Sequence, residues 1–233
     1  MITSSKFRIA KALECKVLAG KFYSFIFETE TPMIYKPGQY ISVKVADTRI
    51  NNYSIAVDEG INKFSLLIDI SPGGPGSKYF ENLKAGDEIN FLGPFGTFIY
   101  KPDTNVKHLL FLGTGSGCAP LRCMIDNLLK VERVQTPITL YLGLRYQTDI
   151  FWQDYFKKLA EDYPNFKFIL AISKPDANCQ EKTGHITKLI SQDFPDASGL
   201  AAYICGNISM IQETTNMLIS RGLAKEKIYT EKF

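Results

Sequence analysis

Five short segments hold residues whose types and spacing could do chemistry. Gly113-Thr114-Gly115-Ser116-Gly117-Cys118-Ala119-Pro120 follows an apolar run, His108 to Leu112, and precedes a segment of helical period. Glycines in such a loop let backbone amides approach a pyrophosphate, and the helix start adds partial positive charge. No Gly-Lys-Ser/Thr follows, which sets the loop apart from a P-loop. The same residues also suit a plain, sharp strand-to-helix turn. Tyr53-Ser54 offers a ring and a hydroxyl, and Gly74-Pro75-Gly76-Ser77 a turn with amide and hydroxyl donors. Cys205-Gly206 places a thiol beside a position with no side chain to bar a ligand, and Glu231 adds a carboxylate. Taken singly, each has a bland reading: a core tyrosine, a solvated serine, a Pro-Gly hairpin, a small buried cysteine, a surface charge.

The remaining composition narrows the chemistry further. His108 and His185 are the only histidines, which leaves few candidates for a histidine base. Cys15, Cys118, Cys123, Cys179 and Cys205 are odd in number and scattered, so free thiols are expected rather than a disulfide framework. The one near pair, Cys118 and Cys123, lies five apart with no C-x-x-C after it, and no metal centre is expected. A net charge of +3 with 22% charged residues gives no basic stripe for nucleic acid. No apolar run approaches the roughly 20 residues of a membrane span. The stretch from Met1 to Ala10 is too polar for a signal peptide. The expectation is a cytoplasmic protein without a transmembrane segment, whose chemistry comes from a cofactor.

Two kinds of element must position these segments. From Phe7 to about Phe98 short strands alternate, as in Ile41, Val43 and Val45 set between Ser42 and Lys44. Turn signals at Lys36-Pro37-Gly38, Asp58-Glu59-Gly60, Pro72 to Gly76 and Lys84 to Asp87 divide this half into about six strands. That number predicts a closed antiparallel β-barrel of Greek-key type. After Lys101-Pro102-Asp103 the pattern becomes βαβ. Apolar strands at His108 to Leu112, Ile138 to Leu142, Phe168 to Ile172 and Ala201 to Cys205 alternate with helical segments. One helix begins at Pro120, one runs from about Ile150 to Glu161 behind a cap at Thr148 or Asp149, and one from about Ile208 to Arg221. The reading is all-β over residues 1–102, then an α/β domain over 103–233 with a parallel sheet of about five strands. At 233 residues the chain is long enough for both cores.

Read in order, these segments resemble ferredoxin-NADP reductase and its relatives. Pro37-Gly38-Gln39-Tyr40 is similar to the start of a strand in that family's flavin barrel. Asn52-Tyr53-Ser54-Ile55-Ala56 is similar to its Arg-x-Tyr-Ser flavin motif, and Gly74-Pro75-Gly76-Ser77 to its flavin-phosphate loop. Tyr203-Ile204-Cys205-Gly206, with Met210 after it, resembles the Cys-Gly motif beside the nicotinamide, and Glu231-Lys232-Phe233 the family's carboxylate and terminal aromatic. The resemblance implies an FAD-binding barrel, with FMN as the second choice, and a domain for NADPH or NADH. It implies flavin contacts at Arg49, Asn51, Tyr53, Ser54, Ile68, Ile70, Gly74, Gly76, Ser77 and Phe233. For the dinucleotide it implies Gly113, Thr114, Gly115, Gly117, Pro120, Arg145, Lys174, Cys205 and Gly206. Ser54, Cys205 and Glu231 take the catalytic positions, Ser54 toward flavin N5 and Cys205 beside the nicotinamide. Phe233 is expected to stack on the isoalloxazine.

Two features depart from that pattern. Asn51 stands where the motif has arginine, and Arg49, two residues earlier on the same strand face, is the expected source of the missing charge. Coenzyme choice stays open: Arg145 and Lys174 suit a 2′-phosphate, whereas Asp149 either repels one or caps a helix. The leading function is an NAD(P)H-dependent reductase handing electrons to a separate ferredoxin, flavodoxin or oxygenase component. The alternatives are a flavin reductase using free flavin as substrate, a non-catalytic electron-transfer subunit of a larger complex, and a nucleotide-binding regulatory module.

Overall fold

The structure is a computed structural model, and it describes residues 7–232. The proposed stacking residue Phe233 lies outside the described residues. Alternation in the first half produces six strands: β1 (Arg8–Ala19), β2 (Phe22–Thr29), β3 (Tyr40–Ala46), β4 (Arg49–Asp58), β5 (Lys63–Asp69) and β6 (Glu88–Phe95). They pair antiparallel in the order β1-β2-β5-β4-β3-β6, and β1 closes the barrel on β6. Inward residues such as Phe25, Phe27, Ile41, Val43, Phe64 and Phe91 are fully buried. Closure leaves no free edge. Helix α1 (Pro75–Asn82) lies on this barrel, with Phe80 packed on Phe25 and Tyr53 at 5.1 and 4.8 Å between ring centres.

The second half forms a six-stranded parallel sheet in the order β10-β9-β8-β7-β11-β12. The strands are β7 (His108–Thr114), β8 (Ile138–Leu144), β9 (Phe166–Ile172), β10 (Lys182–Thr183), β11 (Leu200–Gly206) and β12 (Ile228–Lys232). About five strands are expected from the apolar runs. The four apolar runs named in the sequence are β7, β8, β9 and β11; neither edge strand is among them because β10 has two exposed polar residues and β12 is largely polar. The helices are α2 (Cys118–Asp126), continued by a π-helical turn over Asn127–Val131, α3 (Gln153–Asp162), α4 (Ile186–Asp193) and α5 (Ile208–Ser220). Helix α3 begins three residues later than its period suggests. Trp152 at its N-cap has φ +54°, and its ring takes the Arg122 guanidinium at 4.2 Å. Asp149 therefore does not cap α3; it ends a separate 3-10 turn, Gln147–Asp149.

One apolar core runs through both halves. Phe22, Ala56, Leu67 and Phe98 of the barrel side belong to the same buried cluster as Leu121, Met124, Phe151 and Tyr203. Helix α2 serves both sides: Cys123 packs into the barrel core while Leu121 and Ile125 pack under the sheet. Phe22 meets Phe151 at 4.7 Å. Gly38 is the tightest point of this junction, with φ +98°. A Cβ there would lie 2.0 Å from the carbonyl oxygen of Phe98 and 3.2 Å from the sulfur of Met124.

Gly86 has the same φ of +98° but nothing within 4 Å of an added Cβ, which isolates the contact from the conformation. Gly86→Ala should cost about 1 kcal/mol, the ordinary penalty for a left-handed alanine. Gly38→Ala should cost at least about 3 kcal/mol, because backbone must move. Denaturant midpoints of the two variants check this, and equal losses would show that the junction is not close-packed at Gly38.

Candidate active site at the junction of barrel and sheet

A cleft of about 910 Å³ opens between the barrel and the carboxyl ends of the parallel strands. Its barrel wall is the outer part of β4 with the first turn of α1. Arg49, Asn51 and Tyr53 alternate along β4 and are linked: the Arg49 Nε donates to Asn51 Oδ1 at 3.1 Å, and Asn51 Nδ2 donates to the Tyr53 hydroxyl at 3.3 Å. Burial raises the Tyr53 hydroxyl above its ordinary pKa, so it stays protonated at neutral pH. Gly76 brings α1 against this row. A Cβ on it would fall 2.3 Å from the Tyr53 hydroxyl and 2.5 Å from Asn51 Nδ2.

Helix α1 starts without a side-chain cap, and Pro75 has no amide hydrogen. The amides of Gly76 and Ser77 have no partner within the helix and line the cleft; the next, Lys78, already donates to Gly74. The opposite wall repeats the arrangement. After β7 the chain enters the 3-10 turn Gly115–Gly117 with no side-chain cap at Thr114, and Thr114, Gly115 and Ser116 line the cleft. Two sets of amides, each at a helix start and without a hydrogen-bond partner among the described residues, thus face one space from opposite halves. Phosphate groups fit both. The apolar floor between them is Phe22, Leu67 and Ala119.

Ser54 and Glu231 meet across the junction. The Ser54 hydroxyl donates to Glu231 Oε2 at 2.9 Å, joining the barrel to edge strand β12. Glu231 is in register with Cys205, which is in register with Gly113, so one row crosses β12, β11 and β7. Burial pushes the Glu231 carboxyl above its usual range, with the Ser54 hydrogen bond acting weakly the other way. Burial, and then the nearby Glu231, raise the Cys205 thiol well above its ordinary pKa. A fully buried, protonated thiol is a packing and polarisable group rather than a nucleophile.

The sequence-based site residues divide into two layers. Arg49, Asn51, Tyr53, Ser54, Ile68, Gly74, Gly76, Ser77, Thr114, Gly115, Arg145 and Lys174 line the cleft. Ile70, Gly113, Gly117, Pro120, Cys205, Gly206 and Glu231 lie outside its lining, and all but Ile70 and Glu231 are buried. Gly117 makes room for backbone: its Cβ would stand 2.2 Å from the Cys205 carbonyl oxygen. Gly206 does the same for Thr114, whose Oγ1 would be 2.1 Å from a Cβ there. Cleft residues that no sequence motif marks include Lys21, Phe22, His185, Thr187 and Asn207, while Ser116 falls inside the glycine-rich loop. Lys21 and Phe22 sit at an ordinary hairpin with no motif to mark them. Asn207 carried a local signal as the N-cap of α5, accepting from the Met210 amide at 2.9 Å. Asp149 is 5% exposed, lines the cleft, and its Oδ2 has no hydrogen-bond partner among the described residues.

The raised Glu231 carboxyl makes a stability prediction. The fold binds this proton more tightly than the unfolded chain does, so the group favours folding at low pH and loses that contribution as pH rises through its raised value. Glu231→Gln should therefore gain thermal stability relative to the parent chain as pH goes from about 4 to about 7. Paired melting curves across that range test it; a difference that stays constant would show that the carboxylate is not held against its charge.

The Oxidoreductase FAD-binding domain model matches residues 14–100, and the Oxidoreductase NAD-binding domain model matches residues 111–216. The reductase component of the naphthalene 1,2-dioxygenase/salicylate 5-hydroxylase systems of Ralstonia sp. is 31% identical over 87% of this chain and 61% of its own length. The reductase component of propane 2-monooxygenase of Rhodococcus jostii is 27% identical over 85% of this chain and 55% of its own. The chain thus spans between half and two thirds of the length of these curated relatives. Among solved structures, the Amycolatopsis cytochrome P450 reductase GcoB superposes with a TM-score of 0.89 at 25% identity, covering 98% of this chain and 69% of that one. With an FAD-binding barrel and an NAD-binding sheet matched in order along one chain, and with those relatives beside them, the chain belongs to the ferredoxin-NADP reductase-like flavoprotein family.

Proposed function

We propose that the chain is an NAD(P)H-dependent reductase that passes electrons from a nicotinamide dinucleotide through FAD to a separate ferredoxin, flavodoxin or oxygenase component. One observation carries the reading: two sets of helix-start amides, unpartnered among the described residues, one on the barrel and one on the sheet, face a single cleft. Relatives named as reductase components of dioxygenase and monooxygenase systems support the kind of acceptor. In this reading residues 1–102 form the FAD-binding unit and 103–233 the NAD(P)-binding unit. No helix among the described residues is long and apolar enough to cross a membrane, and a cytoplasmic location is part of the proposal.

A bound flavin supplies two-electron uptake from the nicotinamide and one-electron release to the acceptor. The chain's own part is placement. Tyr53 is held at its hydroxyl by Asn51 and at its ring by Phe80, which makes it a rigid wall for the isoalloxazine. Ser54 presents a hydroxyl whose hydrogen is directed to Glu231. Glu231 holds or releases a proton at that hydroxyl, which its raised pKa favours. Gly76 and Ser77 would hold flavin phosphate through their amides, and Thr114, Gly115 and Ser116 would hold the dinucleotide pyrophosphate. Cys205, fully buried next to Gly206 behind the cleft lining, would support the wall against which a nicotinamide would rest. Phe22, Leu67 and Ala119 keep water from the floor.

A second reading has specific support. Asn51 replaces the motif arginine and Arg49 is exposed, which favours a flavin that exchanges as a substrate. Gel filtration followed by anaerobic addition of NADH or NADPH separates the two. A tightly held yellow cofactor that bleaches supports the reductase, loss of flavin with retained turnover supports the exchanging enzyme, and no bleaching with either coenzyme overturns both. Ser54→Ala should slow bleaching about tenfold or more, and Cys205→Ala should slow it while leaving flavin content intact. Unchanged stopped-flow traces in both variants would remove Ser54 and Cys205 from the proposed machinery.

A further inference from the structure

Among the described residues, two cations line the barrel side of the cleft, Lys21 and Arg49. Lys21 is committed elsewhere: its ammonium sits 3.1 Å from Asp69 Oδ2 and 3.2 Å from Ser71 Oγ. Arg49 makes no ion pair with any described residue, and its one hydrogen bond there, from Nε to Asn51 Oδ1, leaves both terminal nitrogens of the guanidinium unused. That single bond turns the fork. It ties Arg49 to the side chain that also touches Gly76, since Asn51 Nδ2 lies 2.5 Å from the place a Gly76 Cβ would occupy. Asn51 is fixed in turn by its donation to the Tyr53 hydroxyl. A guanidinium with free donors and the Gly76 end of α1 therefore meet at one amide side chain, beside a cleft that Gly76 and Ser77 also line.

We infer that Arg49, oriented by Asn51, is the counter-ion of the flavin phosphate in this chain, displaced by one period of the strand from the motif position, and that it makes flavin affinity dependent on salt. The inference rests on the proposed flavin cleft. Two residues along a strand return to the same face, about 7 Å away, which a long arginine side chain spans and an asparagine does not. The asparagine at the motif position keeps the wall's hydrogen bonds and hands the charge to its neighbour. The location of that charge sets its behaviour. Arg49 is exposed, and an exposed ion pair is screened within about 8 Å at physiological ionic strength. Flavin content should then follow ionic strength, as it would not with a buried guanidinium. Asn51 is a positioning residue: it acts on the phosphate through Arg49.

The test uses the full chain stripped of flavin, titrated with FAD and, as a probe lacking phosphate, with riboflavin, each across a range of sodium chloride. In the parent chain FAD affinity should fall as salt rises while riboflavin affinity stays nearly flat. Arg49→Ala should weaken FAD by about tenfold or more and flatten its salt dependence, with riboflavin changed by less than about twofold. Asn51→Ala should weaken FAD by a smaller factor and keep the salt dependence, since the charge is still present but no longer aimed. Melting curves confirm that both variants fold. Equal loss of FAD and riboflavin in Arg49→Ala, or an unchanged salt slope, overturns the inference while leaving the flavin cleft standing. Failure of the parent chain to bind either flavin overturns the cleft itself and the inference with it.

Discussion

The structure depends on helix α2 being packed into two cores at once. Most mobile two-domain proteins meet through polar surfaces that let the parts shift. Here the barrel and the sheet share buried side chains, with Cys123 on one side of α2 and Leu121 and Ile125 on the other. Burial pushes the Cys123 thiol up to about 12, as expected for a small apolar filler rather than a reactive group. Gly38 then allows the loop before β3 to lie directly on Phe98 and Met124. Because close-packed interiors resist small displacements, this junction fixes the separation of the two cleft walls. In the proposed reductase, hydride transfer would need reacting groups placed to within a fraction of an ångström, and a rigid seam suits that need.

The walls themselves are built from groups that the fold leaves unsatisfied. The starts of α1 and of the turn after β7 carry amides without side-chain caps: Gly74 stands at the first, and at the second the Thr114 hydroxyl accepts from Asn207 instead of capping. Helix α5, facing the same cleft, is capped by Asn207 in the ordinary way. The contrast matters. A cap contributes about 1 kcal/mol, and forgoing it twice at one cleft keeps donors available for anions. Asp149, buried with no partner for Oδ2 among the described residues, is a further unsatisfied group lining the cleft.

Much of this architecture is legible in the sequence, and the limits have physical causes. Barrel strands announce themselves because one face is buried, as in Ile41, Val43 and Val45, and β7 to β9 and β11 do so as continuous apolar runs. Edge strands β10 and β12 do not, since they are exposed to solvent and carry polar residues. The glycine loop is readable as a loop, but the roles of its glycines are not. Gly115 faces the cleft, whereas Gly113 and Gly117 make room for Leu121 and for the Cys205 carbonyl. A sequence shows that a glycine is needed without showing what approaches it. The contribution of Lys21 and Phe22 was unreadable for another reason: it depends on how the halves dock, which no local pattern encodes.

Glu231 shows how a position so weakly marked in sequence becomes defined in space. It lies on an edge strand, five residues long, which has little core of its own. Two residues before it, Tyr229 stacks on Tyr203 at 4.7 Å, and Tyr203 stacks on Phe111 at 5.1 Å, forming an aromatic row parallel to the row of Glu231, Cys205 and Gly113. The segment joining the two halves fastens the outer end of this row. Lys101 lays its ammonium over the Tyr229 ring at 4.9 Å and donates its backbone amide to the Tyr203 hydroxyl, and Asp103 pairs with Lys227 just ahead of β12. Aromatic stacking of this kind adds about 1 kcal/mol per pair beyond burial, enough to hold a short strand in register. A one-residue slip would turn Glu231 away from Ser54. The linker that separates the barrel from the sheet in sequence is therefore what aligns the carboxylate that accepts a hydrogen bond from Ser54 across them.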